Sequence, residues 1–186
     1  MKTKFLYLLL ITSLALASAC KKNKTKLVLN IGDKYGGGVV AYLLQASDAG
    51  YDAKVQHGII AAEADQSLGI LWSNNSINDA NTNNSDVGAG KINTENIVLA
   101  EGVGTYAAKL CADLSLNGYD DWYLPSKAEL VLLRNNKVVI GGFQAVIYWS
   151  STQSDQNTAF ALDFTTQTPT ALPKSSQYKV RAIRYF

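Results

Sequence analysis

The 186-residue sequence predicts an α+β domain with antiparallel strand pairing, and three observations carry that prediction. Two strand-like runs, "GVVAYLL" and "HGIIAAEAD", come first. Two stretches with helical spacing follow a long polar segment, and the last third is β-rich, with "AVIYWSST", "TAFALDFTT" and "YKVRAIRYF" separated by polar turns.

The chain opens "MKTKFLYLLLITSLALASACKK", in which Lys2 and Lys4 precede an apolar run from Phe5 to Ala17. That run is shorter than the roughly 20 residues a membrane-spanning helix needs. Its layout is that of a signal peptide, removed before the protein works. Ala17, Ser18 and Ala19 lead into Cys20, which resembles the lipobox of bacterial lipoproteins, where the cysteine is acylated and begins the mature chain. The expected organisation is a signal peptide over 1–19, a lipidated Cys20 with a basic tether over 20–30, and a single domain over 31–186. Acyl chains at Cys20 anchor a protein to a membrane without crossing it. The expected location is therefore the cell envelope, at the outer membrane, on its periplasmic face or at the surface.

The tether "KKNKTK" holds four basic residues, and removing it changes the electrostatic picture. From Leu27 onward eleven Lys and Arg face fifteen Asp and Glu, a net charge of −4, where the whole chain reads +2. A mildly acidic domain lacks the clustered basic face that nucleic acid requires, and it disfavours polyanions generally. With Cys20 acylated, Cys111 is the one remaining thiol, so no intramolecular disulfide can form. Cys111 shares a helical face with Ala107 and Leu114, the position of a buried structural thiol. The single histidine, His57, has no partners at metal-ligand spacing and reads as a turn or surface residue. No cofactor or metal is expected.

Along the chain, "YGGGVVAYLLQ" reads as a glycine turn into a buried strand, Val39 to Leu44. A phosphate loop would need the reverse order and a terminal Lys-Ser/Thr. From Trp72 to Gly90 the run "WSNNSINDANTNNSDVGAG" predicts a long irregular loop, because short polar side chains bond the nearby backbone. Helices are expected from Asn93 or Thr94, and from Thr105 to about Leu116, with Asn117-Gly118 ending the second. In "GYDDWYLPSKAEL", residues 118–130, Ser126 and Glu129 form a capping box for a third helical stretch that fades by "RNNK". Trp122, Tyr123 and Leu124 carry the chain through the core, and Asp120 or Asp121 bonds the turn.

The segments "GGGVVAYLL", "HGIIAA", "GKINTENIV", "YAAKLCADLSLNGYDDWYLPSKAELVLL", "YWSST" and "VRAIR" resemble, in that order, the C-terminal domain family of the Legionella collagen-like adhesin, related to the Fibrobacter major paralogous domain. That resemblance implies a C-type-lectin-like fold, with two helices, a small antiparallel sheet and long loops at one end. "WYLPSKAEL" is also similar to a tract of formylglycine-generating enzymes, whose copper-binding cysteine pair this chain lacks. The calcium and sugar motifs of animal lectins are absent as well.

The function expected is a non-catalytic binding or adhesion module whose ligand is a glycan or an envelope or host protein. The candidate ligand-binding residues are Trp72, Asn74, Asn75, Asn83 and Asp86 of the long loop, with Asp155 and Asn157 of the "QSDQN" turn. Aromatic rings stack on sugar faces, and amides and carboxylates fix hydroxyls. A structural subunit of an envelope assembly is the alternative. A hydrolase built on Asp120 and Asp121 is disfavoured, because adjacent residues of an extended chain point to opposite sides and cannot flank one scissile bond.

Overall fold

The computed structural model describes residues 27–75 and 80–186, so Cys20, the tether and part of the long loop, 76–79, lie outside the described residues. Nine strands, four α-helices and one short 3-10 helix (Ala80–Thr82) are present among the described residues, and the architecture is mixed α+β with two sheets.

The first sheet has the order β1 (Lys34–Tyr35), β2 (Gly38–Leu43), β3 (Gly58–Ala61), β9 (Ile183–Tyr185). Gly36 and Gly37 take φ of 55° and 87° between β1 and β2, conformations open to glycine at no steric cost, so the glycine run makes the tight turn its sequence predicts. The second sheet has the order β4 (Ser67–Leu71), β8 (Gln177–Val180), β5 (Ile147–Gln153), β6 (Thr158–Asp163), β7 (Pro169–Pro173). All pairs are antiparallel except β5 with β8, which meet in parallel at Tyr148 and Lys179.

Several expectations need correction. The terminal run "YKVRAIRYF" is two strands, β8 and β9, which belong to different sheets. β7 falls in a stretch that reads as a polar turn, and β4 lies between the second expected strand and the long loop, where the sequence predicts no element. The first helix, α1 (Ala89–Glu101), starts four residues before Asn93. Gly88 begins it at φ 97° with no side-chain cap, so no sequence signal marks the start. Asn93 and Thr94 are instead buried ties: Asn93 Nδ2 donates to Asn84 O at 2.7 Å, and Thr94 Oγ1 accepts from Leu124 N at 3.0 Å. The second helix is the short α2 (Ala107–Ala112), and Asn117-Gly118 forms a separate turn closed by Leu116 and Tyr119.

The third helical stretch forms as its capping box dictates, with α3 spanning Lys127–Asn135 and α4, Lys137–Ile140, following it. Glu129 N donates to Ser126 Oγ at 3.2 Å, and the Glu129 carboxylate accepts from Ser126 N at 2.8 Å. Gly88 N at 2.9 Å and the Tyr185 hydroxyl at 2.8 Å donate to the same carboxylate, which ties α1, α3 and β9 together. Gly90 packs here with no room for a side chain, since a Cβ would meet Ser126 N at 2.8 Å and Leu124 O at 2.9 Å.

The core has two halves that share one wall. Along β3, Ile60 and then Ala62 point into a cluster with Trp72, Trp149, Tyr106 and Cys111, while Ile59 and Ala61 point into one with Tyr148, Leu130, Leu162 and Phe164. The same alternation divides Trp122 and Leu124 from Tyr123, and Ala182 from Ile183. Strands buried on both faces read as continuous apolar runs, which is why "HGIIAA" shows no polar alternation.

Where the two sheets meet, the chain crosses twice, between β3 and β4 and between β8 and β9. Arg181 sits at the second crossing, fully buried. Its guanidinium binds Asp65 at the first crossing, with 2.6 Å between Nη2 and Oδ1, and donates to Ala62 O at 3.0 Å and Gly142 O at 2.7 Å. Lys179 Nζ at 3.1 Å and the Tyr148 hydroxyl at 3.0 Å fill the other Asp65 oxygen.

Removing one partner of such a pair strands a buried charge. Arg181→Ala and Asp65→Ala are each expected to lower the unfolding free energy by about 3–5 kcal/mol. The double variant should cost less than the two combined. Urea denaturation measures both, and a loss below about 1 kcal/mol for Arg181→Ala, the range of an exposed pair, would refute this role.

Candidate functional site

Two of the segments expected to bind a ligand do come together, and buried residues between them hold them in place. β4 delivers Trp72 into the core, where its Nε1 donates to Ser150 O at 2.7 Å. Trp72 is 0 % exposed, so the expectation that its ring stacks on a ligand is corrected: no face of it is within a ligand's reach.

Ser73, Asn74 and Asn75 follow, wrapped around the carboxylate of Glu101, the last residue of α1. The Ser73 hydroxyl donates to Glu101 Oε1, while Asn74 N and Asn75 Nδ2 each donate to Oε2 at 3.2 Å. A carboxylate at a helix C-terminus opposes the helix dipole, so these donors offset an unfavourable placement. The side chains of Asn74 and Asn75 lie on the exposed surface of this tie.

Lys174, just beyond β7, joins this segment to the 153–157 turn. It is 2 % exposed, with Nζ 4.6 Å above the Trp72 ring centroid and hydrogen bonds to Gln153 Oε1 at 2.9 Å and Gln156 O at 3.0 Å. Its backbone closes the same junction: Trp72 N donates to Lys174 O at 3.0 Å, and Lys174 N donates to Asn157 O at 2.9 Å. Burial lowers the ammonium pKa to about 8, against the opposing pull of Asp155 and Glu101.

Asp155 and Asn157 are exposed at the β5–β6 turn. The Asp155 carboxylate accepts from the backbone N–H of Asn157 at 2.8 Å and of Thr158 at 2.7 Å, so it shapes the turn it stands on. Contact with the Thr158 side chain and these backbone bonds hold its carboxyl below the ordinary value.

Asn83 and Asp86 occupy a second region, also exposed, fastened to the start of α3. The fastening uses the loop's backbone. Thr152 Oγ1 donates to Asn84 O at 3.1 Å, Ala128 N to Ser85 O at 2.9 Å, and Ser126 Oγ to Asp86 O at 2.7 Å. Asp86 borders a shallow cavity of about 390 Å³ with Ser47, Asp48 and Ala128. The long loop's described part is therefore a strap with fixed ends.

The remaining titratable groups have structural partners. Asp121 pairs with Arg184, 2.5 Å from Nε and 2.9 Å from Nη2, and the side-chain bond from Arg184 holds its carboxyl low. Arg184 also lies over the Tyr119 ring at 3.9 Å, so Asp121 ties the end of the turn to β9 through a side chain instead of bonding the turn itself, and Asp120 stands exposed beside it. Cys111 is fully buried, and burial pushes its thiol up. His57 Nδ1 lies 3.0 Å from Phe186 O. Among the described residues no three His, Cys, Asp or Glu side chains gather as a metal site would require. No helix of the described residues is long and apolar enough to cross a membrane.

The residues that organise this surface, Glu101, Gln153 and Lys174, carry no sequence signal of that role. For Lys174 the only nearby clue is the pair of prolines in "PTALP", which confines that stretch to a sheet edge without marking the lysine as buried.

An α+β scaffold with tied polar loops defines the class, and comparison supplies the family. Residues 62–184 match the Lcl C-terminal domain, and the chain belongs to that family. No curated protein matches the sequence. Among solved structures, a fimbrial protein from Bacteroides ovatus is similar in fold, with a TM-score of 0.55 at 15 % identity over 87 % of this chain. The chain spans 45 % of that protein's length.

The lowered Lys174 pKa gives a signed prediction. An unfolded lysine titrates near 10.4, so between about 8 and about 10 the unfolded chain binds more protons than the folded one, and stability rises with pH. Above about 10 the trend reverses, because unfolded tyrosines ionise while burial holds Tyr42 and Tyr148 up to about 12. Lys174→Met should abolish the rise and leave the fall, as read from urea midpoints across pH; a rise that survives the substitution assigns it elsewhere.

Proposed function

We propose that this protein is a lipid-anchored, non-catalytic binding module of a bacterial cell envelope. On this reading Cys20 carries the anchor, the fold is C-type-lectin-like, and the ligand is a glycan or an envelope or host protein. The location is the outer membrane. The observation that carries the reading is the junction at Lys174, where buried pegs hold the backbone that presents the exposed amides of Asn74, Asn75 and Asn157 and the carboxylate of Asp155. Recognition on loop backbone fixed in advance avoids the entropy of ordering those loops on binding. Membership in the Lcl C-terminal domain family, the family of an adhesin's terminal domain, supports the same reading, as does a fold shared with a fimbrial protein.

The acid pair offers little support for catalysis. Asp121 is committed to Arg184, and a carboxylate held low by a cation is poorly suited to take a proton at neutral pH.

Two measurements test the reading. Cys20→Ala should move the protein from the membrane fraction to the soluble fraction and abolish incorporation of labelled fatty acid. The full-length protein applied to a glycan array and to solubilised envelope proteins should show saturable binding, which Asn74→Ala/Asn157→Ala weakens about tenfold, a loss of about 1.4 kcal/mol. That double variant should keep its stability to within about 0.5 kcal/mol per site, as for other exposed positions. Saturable binding that the substitutions leave unchanged would move the site elsewhere, and no saturable ligand of either class would refute the function.

A further inference from the structure

We infer that the surface formed by Leu27, Val28, Tyr51 and Val55 docks on the lipid bilayer, so that the domain is held in one orientation on the membrane. The inference rests on the anchoring proposed for Cys20.

Folding leaves these four side chains unusually open: Leu27 at 62 %, Val28 at 67 %, Tyr51 at 44 % and Val55 at 50 % exposure. They are contiguous, lining one groove of about 320 Å³ with Leu43 and Leu44. Single exposed apolar residues are ordinary, whereas a contiguous set marks a surface that something covers. Its two chain segments are pinned side by side. Leu29 N donates to Gln56 Oε1 at 2.8 Å, and Gln56 Nε2 donates back to Leu29 O at 2.9 Å. Leu29, directly after Leu27 and Val28, is thereby tied to Gln56, directly after the 51–55 stretch.

The length of chain before Leu27 selects the bilayer as the occupant. Only seven peptide units separate Cys20 from Leu27, a span of at most about 25 Å even if fully extended. A domain of this size has a radius of gyration of about 15 Å, so it is wider than its tether is long. With acyl chains on Cys20, the face that carries Leu27 is the one held next to the membrane. The tether also carries Lys21, Lys22, Lys24 and Lys26, which anionic headgroups attract. Among the residues lining the groove Asp52 is the one acid, and its carboxylate accepts from Lys54 N at 2.7 Å. Tyr51 is of the amphipathic type that settles at the headgroup level. Anchoring raises the local concentration of the surface into the millimolar range, so an area too small to bind lipid from solution suffices once tethered.

The test uses the acylated protein reconstituted into vesicles of phosphatidylethanolamine with a minor fraction of phosphatidylglycerol. A nitroxide is placed at Val55→Cys and, separately, at Val103→Cys, a fully exposed position between α1 and α2. Cys111 is buried and does not compete for the label. The Val55 label is expected to show an oxygen-to-chromium-oxalate accessibility ratio several-fold above that of the Val103 label. Adding Leu27→Glu and Tyr51→Glu should return it to the Val103 value while the protein still floats with the vesicles. Equal ratios at the two positions in floating protein overturn the docking and leave the anchoring intact. A Val55 label shielded from both reagents and broadened by a second nitroxide overturns it in favour of a second copy of the chain. Protein that fails to float overturns the anchoring and the docking together.

Discussion

Arg181 is the constraint on which both sheets depend. A strand that leaves one sheet for another abandons its ladder, and the carbonyls at the crossing lose their partners. Here the crossing from β3 to β4 frees Ala62 O and Glu63 O, and Arg181 donates to both. The same guanidinium reaches Gly141 O and Gly142 O at the end of α4, so three separate links are fixed by one side chain. A fully buried guanidinium is costly unless its donors are used and its charge is met. Asp65 meets the charge, and the Phe143 ring lies 4.1 Å from the guanidinium carbon on its face. Lys179 and Tyr148 then complete the coordination of Asp65, so the cluster reaches β8 and β5 as well.

How far this could be read from sequence follows from the range of each interaction. The capping box of Ser126 and Glu129 spans three positions, and it formed as written. Trp122, Tyr123 and Leu124 were legible as core because they lie between two local punctuation marks, the Asn117-Gly118 turn and the Ser126 cap. The split of "YKVRAIRYF" was not legible. Its alternation continues unbroken through Arg181, and the partner that makes it cross lies 116 positions away. β4 was hidden for a different reason: "SLGIL" is short and holds a glycine mid-strand, which weakens any strand signal. Missing β4 placed Trp72 at the mouth of a loop, when the strand carries it inside.

The loop itself was half legible. Its Asn, Ser and Asp density matches the irregular backbone described at 72–75 and 83–88, though a 3-10 turn forms at Ala80–Thr82, and the density gives no hint of how firmly that backbone is held. The ties to Asn84, Ser85 and Asp86 run through carbonyl oxygens, which every residue type supplies. Such anchoring leaves no trace in composition. Glu101 and Lys174 were missed because single charged residues read as solvated, and only tertiary packing reveals that Lys174 is buried against Trp72.

This division of labour bears on what family membership can convey. Within residues 62–184, the stretch that matches the Lcl C-terminal domain, "WYLPSKAEL" supplies the capping box and "VRAIR" supplies the Arg181 crossing. Their identities are dictated by packing and by buried hydrogen bonds, where a substitution costs stability. The exposed side chains of Asn83, Asp86 and Asn157 stand on backbone that is held by other means, so folding places little demand on which residue sits there. A rigid frame with side chains free to differ at its loops is what a family needs to keep one fold while changing its ligands. The buried frame therefore says least about a ligand, and on the proposed function the tied loops around Lys174 are where one is to be sought.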